Sequence, residues 1–71
     1  MDHAINALMP FYEIELEYVA EELSSGQYAK LSECPSYQSA KALLDAIRRM
    51  ERYYYGEAKT MSIRDEMEWR Q

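Results

Sequence analysis

The chain has 71 residues and a net charge of −5 at pH 7, and 48% of its residues are hydrophobic. This composition is too apolar for intrinsic disorder, and two glycines and two prolines are too few for the many turns of an all-β fold. One cysteine and one histidine exclude an internal disulfide and a Cys/His zinc site. The sequence therefore predicts one small helical domain that spans residues 1–71.

Charge is distributed unevenly along the chain. Residues 1–34 sum to −6, residues 35–56 to +2 and residues 57–71 to −1. This asymmetry favours pairing of the first helix with the second, within or between chains, and opposes attraction of the whole chain to nucleic acid. No segment resembles a signal peptide or a membrane-spanning helix of roughly 20 apolar residues, so we expect a cytoplasmic protein.

The first helix is predicted over residues 10–24. Pro10 suits the first helical position, and Gly26 suits a left-handed cap after the last turn. Because Ile5 continues the apolar row of this helix backwards, the alternative is a helix that begins earlier and contains Pro10. We favour the start at Pro10, with residues 3–8 as a separate turn, since an internal proline removes a hydrogen bond and clashes with the preceding turn.

Two apolar stripes lie on nearly opposite sides of this helix. One recurs at spacings of four and three and is the predicted core face: Tyr12, Leu16, Val19 and Leu23. The other consists of Phe11, Ile14 and Tyr18. A hairpin easily buries only one stripe, so the second requires another chain or a lid from the rest of this one. Because a domain of this size has a marginal core, we expect a homodimer.

The remaining elements follow from caps and apolar spacing. A connector over residues 27–34 contains one helical turn around Leu31, a second helix covers residues 36–56, and a short third helix covers residues 62–69. The predicted fold is all-α, an antiparallel helical hairpin with a short C-terminal helix that pairs into a homodimeric helical bundle. The predicted core consists of Tyr12, Leu16, Val19, Ala20, Leu23, Ala40, Leu43, Leu44, Ile47, Met50 and Tyr54.

Two charged rows are candidate partner surfaces. Glu13, Glu17 and Glu21 recur every four residues on the first helix, and the second helix carries a basic row of Lys41, Arg48 and Arg52. Helical bundles that bind two metal ions combine glutamates with Glu-x-x-His pairs, and no glutamate here precedes a histidine by three residues. We therefore expect no metal or cofactor, and we expect the acidic row to pair with the basic one.

Three consecutive tyrosines close the second helix. Tyr54 falls on the apolar face, whereas Tyr53 and Tyr55 flank it and suit an interface, because tyrosine combines a large apolar ring with a polar tip. Together with the basic row they support an alternative function, a nucleic-acid-binding regulator that uses this side of the second helix. Duplex binding depends on phosphate neutralisation, so we expect no useful affinity of this acidic chain for duplex DNA.

The sequence favours a non-enzymatic function. It contains no glycine-rich phosphate loop, nucleophile elbow or kinase signature, and neither Cys34 nor His3 has a neighbouring group in sequence that would activate it. By elimination we predict a small protein–protein interaction module, an adaptor, inhibitor or regulator. In size and composition the chain is similar to phage and plasmid accessory proteins, and this similarity assigns no functional residue. The candidate interface residues are Phe11, Ile14, Tyr18, Tyr53 and Tyr55.

Overall fold

A computed structural model describes residues 3–70, which form three α-helices and one 3-10 turn and include no β-strand. In chain order these elements are α1 (His3–Ser24), the 3-10 turn (Leu31–Glu33), α2 (Tyr37–Tyr55) and α3 (Ile63–Arg70). The α1 and α2 helices pack against each other as a helical hairpin, and α3 contacts α2. The all-α prediction is confirmed, and the predicted bounds of the second and third helices are each within one residue of the structure.

The favoured start of the first helix is wrong. The α1 helix begins at His3 and continues through Pro10, which corresponds to the alternative of a helix with an internal proline. The pyrrolidine ring leaves the carbonyl of Asn6 without its usual helical donor, at a cost of about 3 kcal/mol. Burial of Ile5 in the core, with Leu8 and Met9 packed against it, offsets that cost.

The core lies between the inner faces of α1 and α2 and is closed by α3. Leu16, Val19 and Ile47 are almost completely buried, as predicted. Ile63 and Met67 of α3 join the same cluster, although the sequence-based core did not include them. The helix α3 therefore covers the groove between the first two helices and leaves the outer side of α1 uncovered.

Tyr54 was predicted in the core, and this prediction is wrong, because its side chain is 43% exposed. The buried positions of α2 end one turn earlier, at Glu51. The chain then leaves the helix at Gly56, whose left-handed backbone (φ 85°) accommodates the cap and whose N–H donates to the carbonyl of Arg52. The apolar period of α2 thus extends beyond the end of the core.

Two glutamate carboxylates accept hydrogen bonds from the segments that follow their helices. Near the end of α1, Glu22 accepts hydrogen bonds from the backbone N–H of Ser36 (3.0 Å) and from its hydroxyl (2.7 Å). Because Ser36 is the residue before α2, the carboxylate also lies at the positive end of the helix dipole. This contact ties the end of α1 to the start of α2.

The second carboxylate belongs to Glu51 and is buried. It accepts hydrogen bonds from the backbone N–H groups of Lys59 and Thr60, both at 3.0 Å, and from the Thr60 hydroxyl at 2.6 Å. These bonds hold the linker between α2 and α3. Ser62 is the residue before α3, and its hydroxyl oxygen accepts a hydrogen bond from the N–H of Asp65, as in a helix N-cap.

Candidate interaction surfaces

The second apolar stripe of α1 is exposed to solvent over its whole length. Phe11 is 62% exposed, Ile14 47% and Tyr18 49%. Ala4 and Ala7 are also exposed and extend the stripe, so that its five members alternate at spacings of three and four residues. This spacing is the one through which helices pack against partner helices. We call these five residues the outer stripe.

The acidic row of Glu13, Glu17 and Glu21 lies beside the outer stripe and is exposed. Within residues 3–70 none of these carboxylates forms an ion pair. The expected pairing with the basic row of α2 is therefore not what the structure shows. Lys41 instead pairs with Asp45 on its own helix, at 3.4 Å. The acidic row is left as an uncompensated negative surface.

The basic row of α2 is divided between two environments. Lys41 and Arg48 line a cleft that faces the 3-10 turn and α3, whereas Arg52 lies outside this cleft. The Nε atom of Arg48 is buried and has no hydrogen-bond partner. The structure therefore brings two of the three predicted cations together and does not bring Arg52 to them.

We call this concavity the basic cleft. It is an open concavity of about 460 Å³ between the 3-10 turn, α2 and the start of α3. Among the described residues, four cations, Lys30, Lys41, Arg48 and Arg64, line it, and Asp45 is the one acidic residue that does so. Sequence reasoning missed this site because its bases come from separate parts of the chain and form no local motif. Its apolar and aromatic lining consists of Leu31, Tyr37, Leu44 and Ile63.

The tyrosines at the end of α2 form a separate exposed patch. The ring of Tyr53 contacts the ring of Tyr54 edge to face, with centroids 5.1 Å apart. The ammonium group of Lys59 lies 5.3 Å from the ring centroid of Tyr55, within the range of a cation–π interaction. Sequence reasoning assigned no role to Trp69, which is 78% exposed on α3. These rings provide further apolar surface outside the core.

Three ionisable groups, Tyr12, Cys34 and Glu51, are buried. Burial raises the pKa of Tyr12 to about 12, with a further contribution from the charge of Glu66, and its hydroxyl has no hydrogen-bond partner. Burial, together with Glu22 and Glu33, raises the pKa of the Cys34 thiol. A thiol with a raised pKa carries little thiolate and is a poor nucleophile, so the residue is a packing cysteine here.

The pKa of Glu51 is shifted in the opposite direction. Burial opposes ionisation of this carboxyl, but the hydrogen bonds from Thr60 and Lys59 outweigh that effect, and the nearby charge of Arg48 adds to them. The net result is a pKa below the ordinary value of a glutamate. The carboxylate is therefore ionised at neutral pH, where it holds the linker.

Over residues 3–70, no grouping of three or more His, Cys, Asp or Glu side chains could hold a metal ion. In the same range, each helix is too short or too polar to cross a membrane. The chain was also compared with known proteins. No protein-family model, curated protein or solved structure matches it.

Proposed function

We propose that this chain is a non-enzymatic protein–protein interaction module, an adaptor or inhibitor, that docks through the outer stripe of α1. The observation that carries this proposal is the exposure of Phe11, Ile14 and Tyr18 along one helix face. Water contact of three large apolar side chains at helical spacing is unfavourable, and docking into an apolar groove removes it. Such a groove is the usual receptor for an amphipathic helix.

The charge beside the outer stripe indicates the chemistry of the partner. The α1 helix contains no lysine or arginine, and Glu13, Glu17 and Glu21 are unpaired within the described residues. A partner whose apolar groove is bordered by lysines and arginines would neutralise this row and would be steered towards it. A second copy of α1 would instead bring the same glutamates into apposition, which is unfavourable. The charges therefore favour a basic protein partner, and homodimerisation remains a separate prediction.

The test is site-specific photo-crosslinking from the centre of the stripe. A photo-reactive amino acid replaces Ile14, and in a matched control it replaces Gln38, which is exposed on α2. In native lysate we expect the Ile14 probe to capture a basic protein that the Gln38 probe does not capture. The double variant Phe11→Glu/Tyr18→Glu should abolish capture, and Arg48→Glu/Arg52→Glu should leave it intact.

Three results would contradict the proposal. Equal capture by both probes would show that contact is not specific to the stripe. Capture that survives Phe11→Glu/Tyr18→Glu would place docking elsewhere on the chain. Recovery of nucleic acid that is lost only with Arg48→Glu/Arg52→Glu would favour the nucleic-acid alternative.

A further inference from the structure

The basic cleft carries a net positive charge, although the chain as a whole is acidic. The whole chain carries −5, whereas the described side chains that line the cleft carry four positive charges and one negative charge. Asp45 is engaged by Lys41, its neighbour one helical turn away. Lys30, Arg48 and Arg64 have no carboxylate partner within residues 3–70. Three cations that line one cleft and form no ion pair within residues 3–70 produce a positive potential that a bound anion would relieve.

Arg48 is the least satisfied of these cations. Its Nε atom is buried without a hydrogen-bond partner, so the desolvation of this donor is not compensated by a hydrogen bond within the protein. Its charge acts on the buried groups nearby, since it contributes to the lowered pKa of Glu51 and opposes part of the rise that burial causes in the pKa of Tyr12. A buried donor of this kind is costly unless something occupies the acceptor position. A guanidinium group offers parallel N–H donors that match the oxygens of a phosphate.

The rest of the cleft is suited to the body of a small molecule. Its volume of about 460 Å³ lies within the range of small-molecule sites. Tyr37, Leu44 and Ile63 give it an aromatic and apolar lining, while the hydroxyls of Ser32 and Ser62 add polar groups at its edge. Convergent polar groups on an apolar lining are the usual composition of a ligand pocket.

We propose that the basic cleft binds a small phosphate monoester with an aromatic or apolar body, such as a mononucleotide. The phosphate would contact Arg48, Arg64 and Lys30, and the body would lie against Tyr37, Leu44 and Ile63. A phosphate monoester carries nearly two negative charges at neutral pH, which matches the unpaired cations. A long polyanion would extend beyond the cleft and meet an otherwise acidic protein, so the charge distribution favours a small ligand.

The test is isothermal titration of the full chain with three probes: adenosine 5′-monophosphate, inorganic phosphate and uncharged adenosine. We expect the monophosphate to bind with a Kd below about 1 mM, inorganic phosphate to bind more weakly, and adenosine to show no measurable binding. Arg64→Gln should weaken binding of the monophosphate at least tenfold. Arg49→Gln removes the same charge from an exposed position outside the cleft and should change binding less than twofold.

Several results would overturn the proposed phosphate site or its assignment to a small molecule. Equal weakening by Arg64→Gln and Arg49→Gln would mean that only net charge matters and would overturn the site. Absence of binding by both phosphate-containing probes would overturn it as well. Tighter binding of a phosphoserine peptide or of a single-stranded oligonucleotide than of the monophosphate would overturn the small-molecule assignment. Arg48→Lys, which keeps the charge but removes the planar donors, should bind several-fold more weakly if the guanidinium contacts the phosphate.

Discussion

The hydroxyl of Thr60 donates a 2.6 Å hydrogen bond to the carboxylate of Glu51, nine residues earlier in the body of α2. Together with the two backbone donors of Lys59 and Thr60, this bond gives a buried glutamate three partners. A charged residue on the buried face of α2 is thus the attachment point of the linker to α3.

Removal of this carboxylate should destabilise the chain. Glu51→Ala leaves three donors without their acceptor, and we expect a loss of about 2–3 kcal/mol in the free energy of unfolding. Urea titration followed by circular dichroism measures this loss. Glu57→Ala removes an exposed carboxylate from the same linker and should change stability by less than about 0.5 kcal/mol. Equal effects of the two substitutions would show that the hydrogen bonds of Glu51 contribute nothing specific.

The same group should make stability depend on acidity. The pKa of Glu51 in the folded chain lies below its ordinary value of 4.5, so folding favours the ionised form. Its contribution is complete above pH 4.5 and is lost as the pH falls through the lower pKa of the folded state. Glu51→Gln should remove this component of the acid dependence, which urea titrations at successive pH values would reveal. An unchanged slope below pH 4.5 would be inconsistent with the shift.

Tyr12→Phe should stabilise the chain. The Tyr12 hydroxyl is buried without a hydrogen-bond partner, so its removal relieves a desolvation cost, and we expect a gain of about 1 kcal/mol in thermal or urea unfolding. The substitution also removes an alkaline transition. Folding raises the pKa of Tyr12 from 10.0 to about 12 because burial penalises the ionised form, so stability is independent of this titration below pH 10 and falls as the pH rises from 10 through about 12. A destabilised Tyr12→Phe would indicate that the hydroxyl has a partner.

Two isoleucines provide a matched comparison of core and surface. Ile47→Ala should cost about 2–5 kcal/mol, since its side chain is fully buried, and Leu16→Ala should have a similar effect. Ile14→Ala should change stability by less than about 0.5 kcal/mol because Ile14 is half exposed on the outer stripe. Equal losses for Ile47→Ala and Ile14→Ala would mean that the outer stripe is covered in solution by another copy of the chain.

Salt should separate self-association from docking on a basic partner. Light scattering on a sizing column tests the predicted homodimer, and a mass of 8.4 kDa at tens of micromolar would contradict it. If copies associate through the outer stripe, added salt screens the repulsion between Glu13, Glu17 and Glu21 of the two chains and strengthens association. Docking on a basic partner should weaken with salt for the same reason. Phe11→Glu should reduce both interactions.

Local signals made much of the fold predictable. The second and third helices could be bounded closely because Gly56 and Ser62 act as caps whose chemistry depends on neighbouring residues only. The end of the first helix at Ser24 was predicted as well. Its start was not, because Ile5 is buried in a core that includes residues distant in sequence. Tyr54 was placed in the core because it continues the apolar period of α2. That period does not show where the opposing helices end, and Tyr54 lies beyond that point.

The two candidate surfaces also differ in whether local sequence could predict them. The outer stripe was predictable because Phe11, Ile14 and Tyr18 share one helix and a fixed spacing. The basic cleft was not, because Lys30 and Arg64 are separated by more than thirty positions and meet only when α3 folds back on α2. A site whose residues come from several elements shows no regular spacing in the sequence.

The brevity of α3 has a consequence for how the chain opens. Eight residues are fewer than the about 12–15 that an isolated helix needs in water, so α3 persists only while Ile63 and Met67 remain docked. Its amide hydrogens should therefore exchange with solvent together with those of Lys59 and Thr60, as one cooperative unit that detaches before the hairpin unfolds. Brief proteolysis should accordingly cut first between Gly56 and Ser62 and leave the paired α1 and α2 as the surviving fragment.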